Sequence, residues 1–283
     1  NLVSSAERSV EIALLGRTSA AAAGERALLH SALGSTDALG PAGLESLDRP
    51  GVCADLMRNF IQRSATYVSA GFASVDGFSR CSSAEDGRGV DLRETPTFKD
   101  FMENPGTIVT SIERGTISGR SVVVVVQPLY RDRDLLGYVW LSLTYELLRS
   151  THDITLGTEG ARTITFNNRG DILTSDGGLA RQYDEILPRD TDMLSLILRS
   201  DTTFRARDNN GNNRVFTVVP VVPGLVYAIG SWSPQFANVG LFQISRLGAV
   251  LIPIALWIVS LGVAYFAVFR MVLRHITVLR GQM

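Results

Sequence analysis

The sequence predicts an α+β protein: a long N-terminal helix, two successive modules built on antiparallel sheets, and one transmembrane helix. Three observations predict it. Val122 to Val126 are five consecutive valines between turn signals, the pattern of a strand buried on both faces. A hairpin, a short helix and three further strands follow one another twice along the chain. The run Leu247–Phe269, LGAVLIPIALWIVSLGVAYFAVF, carries no charge.

Composition sets the bounds. The 283 residues suit one large or two small domains, at roughly 150 residues each. A hydrophobic content of 45% excludes a fully disordered chain, because enough apolar surface is present to offset the entropy of ordering. A net charge of −1 excludes a dominant nucleic-acid footprint. The chain opens on Asn1 rather than Met, and the expectation is a segment of a longer protein.

Residues 1–33 read as one helix: Val3, Ala6, Val10, Ala13 and Leu14 recur at three- and four-residue steps, and Gly34 is the expected stop. A Gly/Pro-containing linker, 34–51, leads to a second helix around Val52–Arg63 with Cys53 in its first turn. Strands are expected at Tyr67–Val75 and Phe78–Ser82 about the Asp76-Gly77 turn, a strong hairpin signal. A polar segment, 83–104, holds a short helix at Thr97–Glu103. Strands Thr107–Glu113, Arg120–Leu129 and Leu136–Leu143 complete a five-stranded antiparallel sheet. The second copy comprises strands Arg162–Asn167 and Asp171–Thr174, helical Asp192–Arg199, then strands Thr203–Arg207, Arg214–Val222 and Leu225–Trp232. The expected divisions are a stalk helix and linker (1–50), a first module (51–150), a second module (151–235), the membrane helix (247–269) and a cytoplasmic lead-in (270–283).

As a helix, Leu247–Phe269 would be roughly 35 Å long, enough for a ~30 Å hydrocarbon core. Arg270, Arg274, His275 and Arg280 follow it, and only Arg246 closely precedes it. The excess of arginine puts the C-terminus in the cytoplasm and residues 1–246 outside the bacterial inner (cell) membrane. Residues 1–33 contain no secretory signal, so an upstream membrane helix is expected to deliver the outside region. The two cysteines, Cys53 and Cys81, would then lie in an oxidising compartment that lets them pair; two separate buried thiols are the alternative. With His30, His152 and His275 scattered, no metal-ligand spacing exists.

The segments VDGFSRCSS (75–83), DLRETPTFKDF (91–101) and GTISGRSVVVVVQPL (115–129), after a Cys-bearing helix, look like the patterns dG-x-x-x-C, DLS-D-R-x-Y/W-F and G-x-x-S/T-G-K/R-P-V. The layout resembles the double Cache (dCache) extracytoplasmic sensor domains of bacterial transmembrane receptors over residues 1–235. The resemblance implies a membrane-distal and a membrane-proximal PAS-like module, with a ligand pocket in the distal one. Carried over residue by residue, the pocket candidates are Thr95, Thr97, Phe98, Ser111 and Ser142, with Arg93 close by. Thr95 stands where many members place an arginine for a ligand carboxylate, Thr97 where an aromatic is common, and Ser142 near an aspartate for a ligand ammonium. Charge-assisted pairing at both ends of an amino acid would be missing, which argues against an amino-acid receptor of the usual kind. The closing LRHITVLRGQM (273–283) looks like the lead-in to a sensor histidine kinase.

No Ser-His-Asp spacing, phosphate-binding glycine loop or HExxH motif is present, so catalysis and cofactors are not expected within this segment. The expected function is signal sensing by a two-pass receptor: a small-molecule ligand outside, a bilayer crossing, a homodimer through parallel N-terminal helices, and a two-component histidine kinase output. The alternatives are a chemoreceptor or cyclic-dinucleotide enzyme output, or a protein-docking module without a small ligand.

Overall fold

The computed structural model of the chain describes residues 2–79, 81–84, 89–151, 161–175, 187–233, 254, 256–266 and 270. The chain forms two compact units, Asn1–Pro234 and Gln235–Met283.

The first unit begins with helices α1 (Leu2–Ala21) and α2 (Ala23–Leu44). Ala22 between them has φ −87° and ψ 1°, yet its N–H still donates to Thr18 O at 3.1 Å. Helix α2 does not stop at Gly34 as expected; it runs ten residues further and includes Pro41. A helical glycine costs about 1 kcal/mol relative to alanine. Burial of Leu29, Ala32 and Leu39 on the same helix outweighs that. The Thr36 hydroxyl also donates to Ala32 O and Leu33 O, spanning the turn that contains Gly34. Most of the expected linker is therefore helix, and α3 (Pro50–Arg63) starts with proline in its first turn, where no N–H is needed.

The first sheet has the order β3-β1-β7-β6-β5, all antiparallel, from β1 (Tyr67–Ser74), β3 (Cys81–Ser82), β5 (Ile108–Ile112), β6 (Val122–Arg131) and β7 (Asp134–Thr144). Short strands β2 (Phe78–Ser79) and β4 (Val90–Asp91) pair beside it, and helix α4 (Pro96–Glu103) follows. The β6–β7 turn is made by Asp132 and Arg133 with φ of 52° and 85°, a two-residue hairpin turn built without glycine. The valine run is buried throughout and its side chains divide by parity. Val123 and Val125 pack with Leu29, Leu39 and Met57 of α2 and α3. Val122, Val124 and Val126 pack on the other side with Phe98, Phe101, Tyr138 and Trp140.

After α5 (Tyr145–Ser150), the second sheet has the order β10-β11-β12-β8-β9, from β8 (Arg162–Asn167), β9 (Ile172–Ser175), β10 (Thr202–Arg207), β11 (Asn213–Val222) and β12 (Val226–Trp232), with α6 (Met193–Ile197) before β10. The core around α2 continues into this sheet through Leu173, Val219, Val221 and Ala228. Ile164, Phe166, Phe216, Tyr227 and Ile229 form a separate core with Leu196 of α6.

Cys53 and Cys81 form a disulfide with Cα atoms 5.3 Å apart, tying the first turn of α3 to edge strand β3. In the second unit, Ile254, residues 256–266 and Arg270 are helical, and Leu256, Trp257, Ile258, Val259 and Phe266 are exposed. Among the described residues no helix is long and apolar enough to cross a membrane. The remainder of the expected span 247–269, and all but Arg270 of the expected lead-in 270–283, lie outside the described residues.

Candidate functional site

On the face of the first sheet opposite α2 lies a cavity of about 60 Å³. Its floor is set by strand register. Ser69 of β1 pairs with Ser142 of β7, and Ser142 pairs in turn with Val124 of β6. One step along, Gly71, Trp140 and Val126 form the parallel row. Leu92, Thr95 and Thr97 close one side, and Gly115, Thr116 and Ile117 of the β5–β6 loop close another. That loop is held by Gly115 N–H to Arg120 O and Gly119 N–H to Gly115 O, both 2.8 Å. Gly119 has φ +65°, which the turn needs.

The structure brings Thr95, Thr97 and Ser142 together on the cavity wall. Thr95 is the N-cap of α4: its hydroxyl accepts from Phe98 N–H at 3.3 Å and donates to Leu92 O at 2.7 Å. Phe98 stands behind the wall, its ring 6.4 Å from that of Tyr138, which also packs on Phe101 at 4.7 Å. Phe98 thus supports the site without lining it.

Arg93 and Ser111 lie elsewhere. Arg93 is half exposed, pairs with Asp91 at 2.7 Å and stacks over the Phe78 ring at 4.6 Å. The paired guanidinium and carboxylate hold each other charged, raising the Arg93 pKa and lowering that of Asp91. Ser111 pairs with Val123, whose side chain faces α2, so parity turns it away from the cavity that its neighbour Ile112 lines. Its hydroxyl instead donates to Ile172 O of β9 at 2.8 Å. Asn167 Nδ2 donates to Val109 O at 2.9 Å nearby, and Arg169 pairs with Asp100. Ser111 is a joint between the two sheets.

Sequence reasoning did not find Ser69, Tyr138 or Trp140. Tyr138 and Trp140 sit four and two positions before Ser142 on the same strand face, so period-two counting from Ser142 would have reached both. Burial pushes the Tyr138 phenol pKa up, keeping it neutral. The Trp140 Nε1 is buried with no hydrogen-bond partner among the described residues. Among the described residues no charged side chain lines the cavity and no cluster could hold a metal ion.

No protein-family model and no curated protein matches the chain. Solved structures do. The ligand-binding domain of the Pseudomonas aeruginosa PAO1 amino acid chemoreceptor PctB, in complex with L-Gln, superposes with a TM-score of 0.60 at 17% identity, over 85% of this chain and 99% of that one. The extracellular domain of rpHK1S-Z16, a candidate histidine kinase, gives 0.56 at 14% identity over 79% and 95%. The ligand-binding domain of the P. aeruginosa PAO1 chemoreceptor PctC, in complex with GABA, gives 0.55 at 17% identity over 78% and 97%. At these identities the likeness is one of fold. The chain has the fold of extracellular sensory and ligand-binding domains of receptors, in agreement with the double Cache resemblance.

Proposed function

We propose that the chain is the signal-sensing region of a two-pass bacterial membrane receptor, with a small-molecule site in the cavity of the first sheet. The cavity carries this reading: a mostly apolar hollow with a few polar groups, closed by a helix and a loop, is the form a small-ligand site takes. The relatives in fold, two of them holding L-Gln or GABA, support it. Residues 51–150 form the distal and 151–235 the proximal module. The disulfide supports an oxidising location for residues 1–246. Exposed apolar side chains over 256–266 support a membrane crossing at 247–269, with the C-terminus cytoplasmic. A homodimer would form through the N-terminal helices, where Ile12 is exposed on α1. The kinase-like 273–283 favours a two-component histidine kinase output over a chemoreceptor or cyclic-dinucleotide enzyme.

The test is a thermal-shift screen of residues 1–283 in lipid nanodiscs against small acids, amines, amides, purines and sugars. A ligand of the native state must raise the Tm. The expected result is a hit that Ser142→Leu, which fills the cavity, abolishes and that Ser111→Ala preserves. A flat screen together with capture of an envelope protein would favour the docking alternative instead. Autophosphorylation of the natural full-length protein from ATP tests the output separately.

A further inference from the structure

A second hollow lies on the other side of the first sheet, in the groove between α2 and α3. Its volume is about 470 Å³, within the range that holds a small-molecule ligand. Helical spacing builds its walls. Ser31, Ser35 and Leu39 recur every four residues on α2, and Leu56, Phe60 and Arg63 follow at steps of four and three on α3, so each set shares one helix face. The helices run antiparallel. Cys53 Sγ lies 3.9 Å from Gly43 O, whereas the Ser31 and Ser35 hydroxyls reach that of Tyr67, just past the end of α3, at 3.0 and 3.2 Å. Leu39 and Leu56 therefore line one end of the groove, and the serines and Arg63 line the other.

The two ends differ in chemistry. At the polar end, Ser64 Oγ accepts from the N–H groups of Thr66 and Tyr67 at 3.1 and 3.3 Å, which leaves its own O–H to donate. The Arg63 guanidinium is exposed at the lip, and no described residue pairs with it. Between the ends, the Phe60 and Tyr67 rings stack with centroids 5.7 Å apart and planes at 16°. From Ser31 to Leu39 the trough runs about 12 Å along α2, at 1.5 Å per residue. A cation in the last turn of a helix suits the C-terminal dipole without any ligand. The dipole does not call for an apolar trough, walled by stacked rings, leading away from that cation.

We propose that the groove between α2 and α3 binds a small amphipathic carboxylate, with its head at Arg63 and Ser64 and its tail along Phe60 toward Leu39 and Leu56. A guanidinium meets a carboxylate with two parallel N–H···O bonds, and the Ser64 hydroxyl adds a further donor. The tail leaves water for the leucine end. This site is separate from the cavity of the first sheet and does not depend on it.

The experiment titrates residues 1–283 in nanodiscs with acetate, butyrate, hexanoate, hexanamide and hexylamine, following Tm and saturation-transfer NMR of each probe. Empty nanodiscs are measured alongside, so that partition into lipid is subtracted. The expected result is saturable hexanoate binding that raises Tm. Affinity should tighten about three- to fourfold per methylene along the carboxylate series, the effect of burying each one. Hexanamide and hexylamine should bind about five- to tenfold more weakly than hexanoate, which alone pairs with the guanidinium. Arg63→Gln, at an exposed position, should erase the preference for hexanoate over hexanamide, and Arg63→Lys should keep part of it. Leu56→Asn should weaken hexanoate and leave acetate unchanged. Ser142→Leu, which fills the cavity of the first sheet, should leave hexanoate binding intact. Hexanoate binding lost in Ser142→Leu and kept in Arg63→Gln would place the probe in the other cavity and overturn this site. So would equal affinity for hexylamine, or no saturable hexanoate binding at all. Either failure leaves the sensing reading standing, because that reading is tested by a ligand that Ser142→Leu abolishes.

Discussion

Trp140 lies directly over Gly71: a Cβ built on Gly71 would stand 2.6 Å from Trp140 Cζ2 and 2.8 Å from Cys81 O. The two residues are register partners on β1 and β7, so the absence of a side chain on one strand makes the place for the indole on the other. The reason for glycine here is steric rather than conformational. Gly71→Ala should force the ring or the β3 backbone aside, at the ~1–3 kcal/mol typical of overpacking. For a unit of this size that is a Tm drop of about 4–8 °C for a ~2 kcal/mol loss. Differential scanning fluorimetry checks it, and an unchanged Tm with unchanged tryptophan emission would show that the indole is not held there.

The disulfide spans 28 residues and is the covalent link between α3 and the edge of the first sheet. Both half-cystines are buried, Cys53 against the core that α2 shares with β1 and β7. In the chain-entropy model, closing a loop of this length contributes about 3–4 kcal/mol through the unfolded state. Cys53→Ala/Cys81→Ala should lower the urea midpoint by the equivalent of that figure. Reducing agent should do the same to the unaltered protein and leave the double variant unmoved, which separates loss of the bond from loss of the sulfur atoms.

Tyr138 sets an upper pH limit. Its phenol is buried between Phe98 and Phe101, and burial raises its pKa above the ordinary ~10. A raised folded-state pKa means the folded chain keeps a proton that the unfolded chain releases. The associated stability is therefore fully present below pH ~10 and is lost as pH rises from there toward the folded-state value. Urea midpoints measured between pH 9 and 11.5 should fall for the natural sequence. Tyr138→Phe should flatten the slope; an equal slope in both proteins would assign it to other groups.

Local signals and register were legible to different degrees. The strands could be found because turn residues such as Asp76-Gly77 and Asn209-Asn210-Gly211 bracket runs of β-branched residues. The end of α2 could not, because propensity at Gly34 and Pro41 is overridden by packing of Leu29, Ala32 and Leu39, and packing partners are not adjacent in sequence. The site shows the same division. Thr97 and Ser142 were placed by resemblance to a family pattern, whereas Ser111 missed the cavity by one residue, which on a strand reverses the face. Trp140 could be reached by parity from Ser142, but its register partners Gly71 and Val126 come from two other strands.

Glu25 offers the last test. It is fully buried on α2, three residues after the break at Ala22, and faces the second sheet. Thr165 donates to its Oε1 at 2.9 Å and Thr174 to its Oε2 at 3.1 Å, while the two threonine hydroxyls lie 2.6 Å apart. Seven residues earlier, the Thr18 hydroxyl lies 2.5 Å from that of Thr217, and Trp232 Nε1 donates to the same Thr217 oxygen at 3.2 Å. Besides the apolar packing of α2 on both sheets, the helices thus meet the second sheet through buried hydrogen bonds. Apolar contact tolerates sliding, but an acceptor shared by two donors fixes position. Glu25→Ala strands those donors and should cost about 2 kcal/mol, or a Tm drop of about 4–8 °C. Glu25→Gln keeps an acceptor oxygen and should cost less. Losses of equal size in the two variants would mean that the carboxylate's charge, rather than its capacity to accept from Thr165 and Thr174, holds the helix to the sheet.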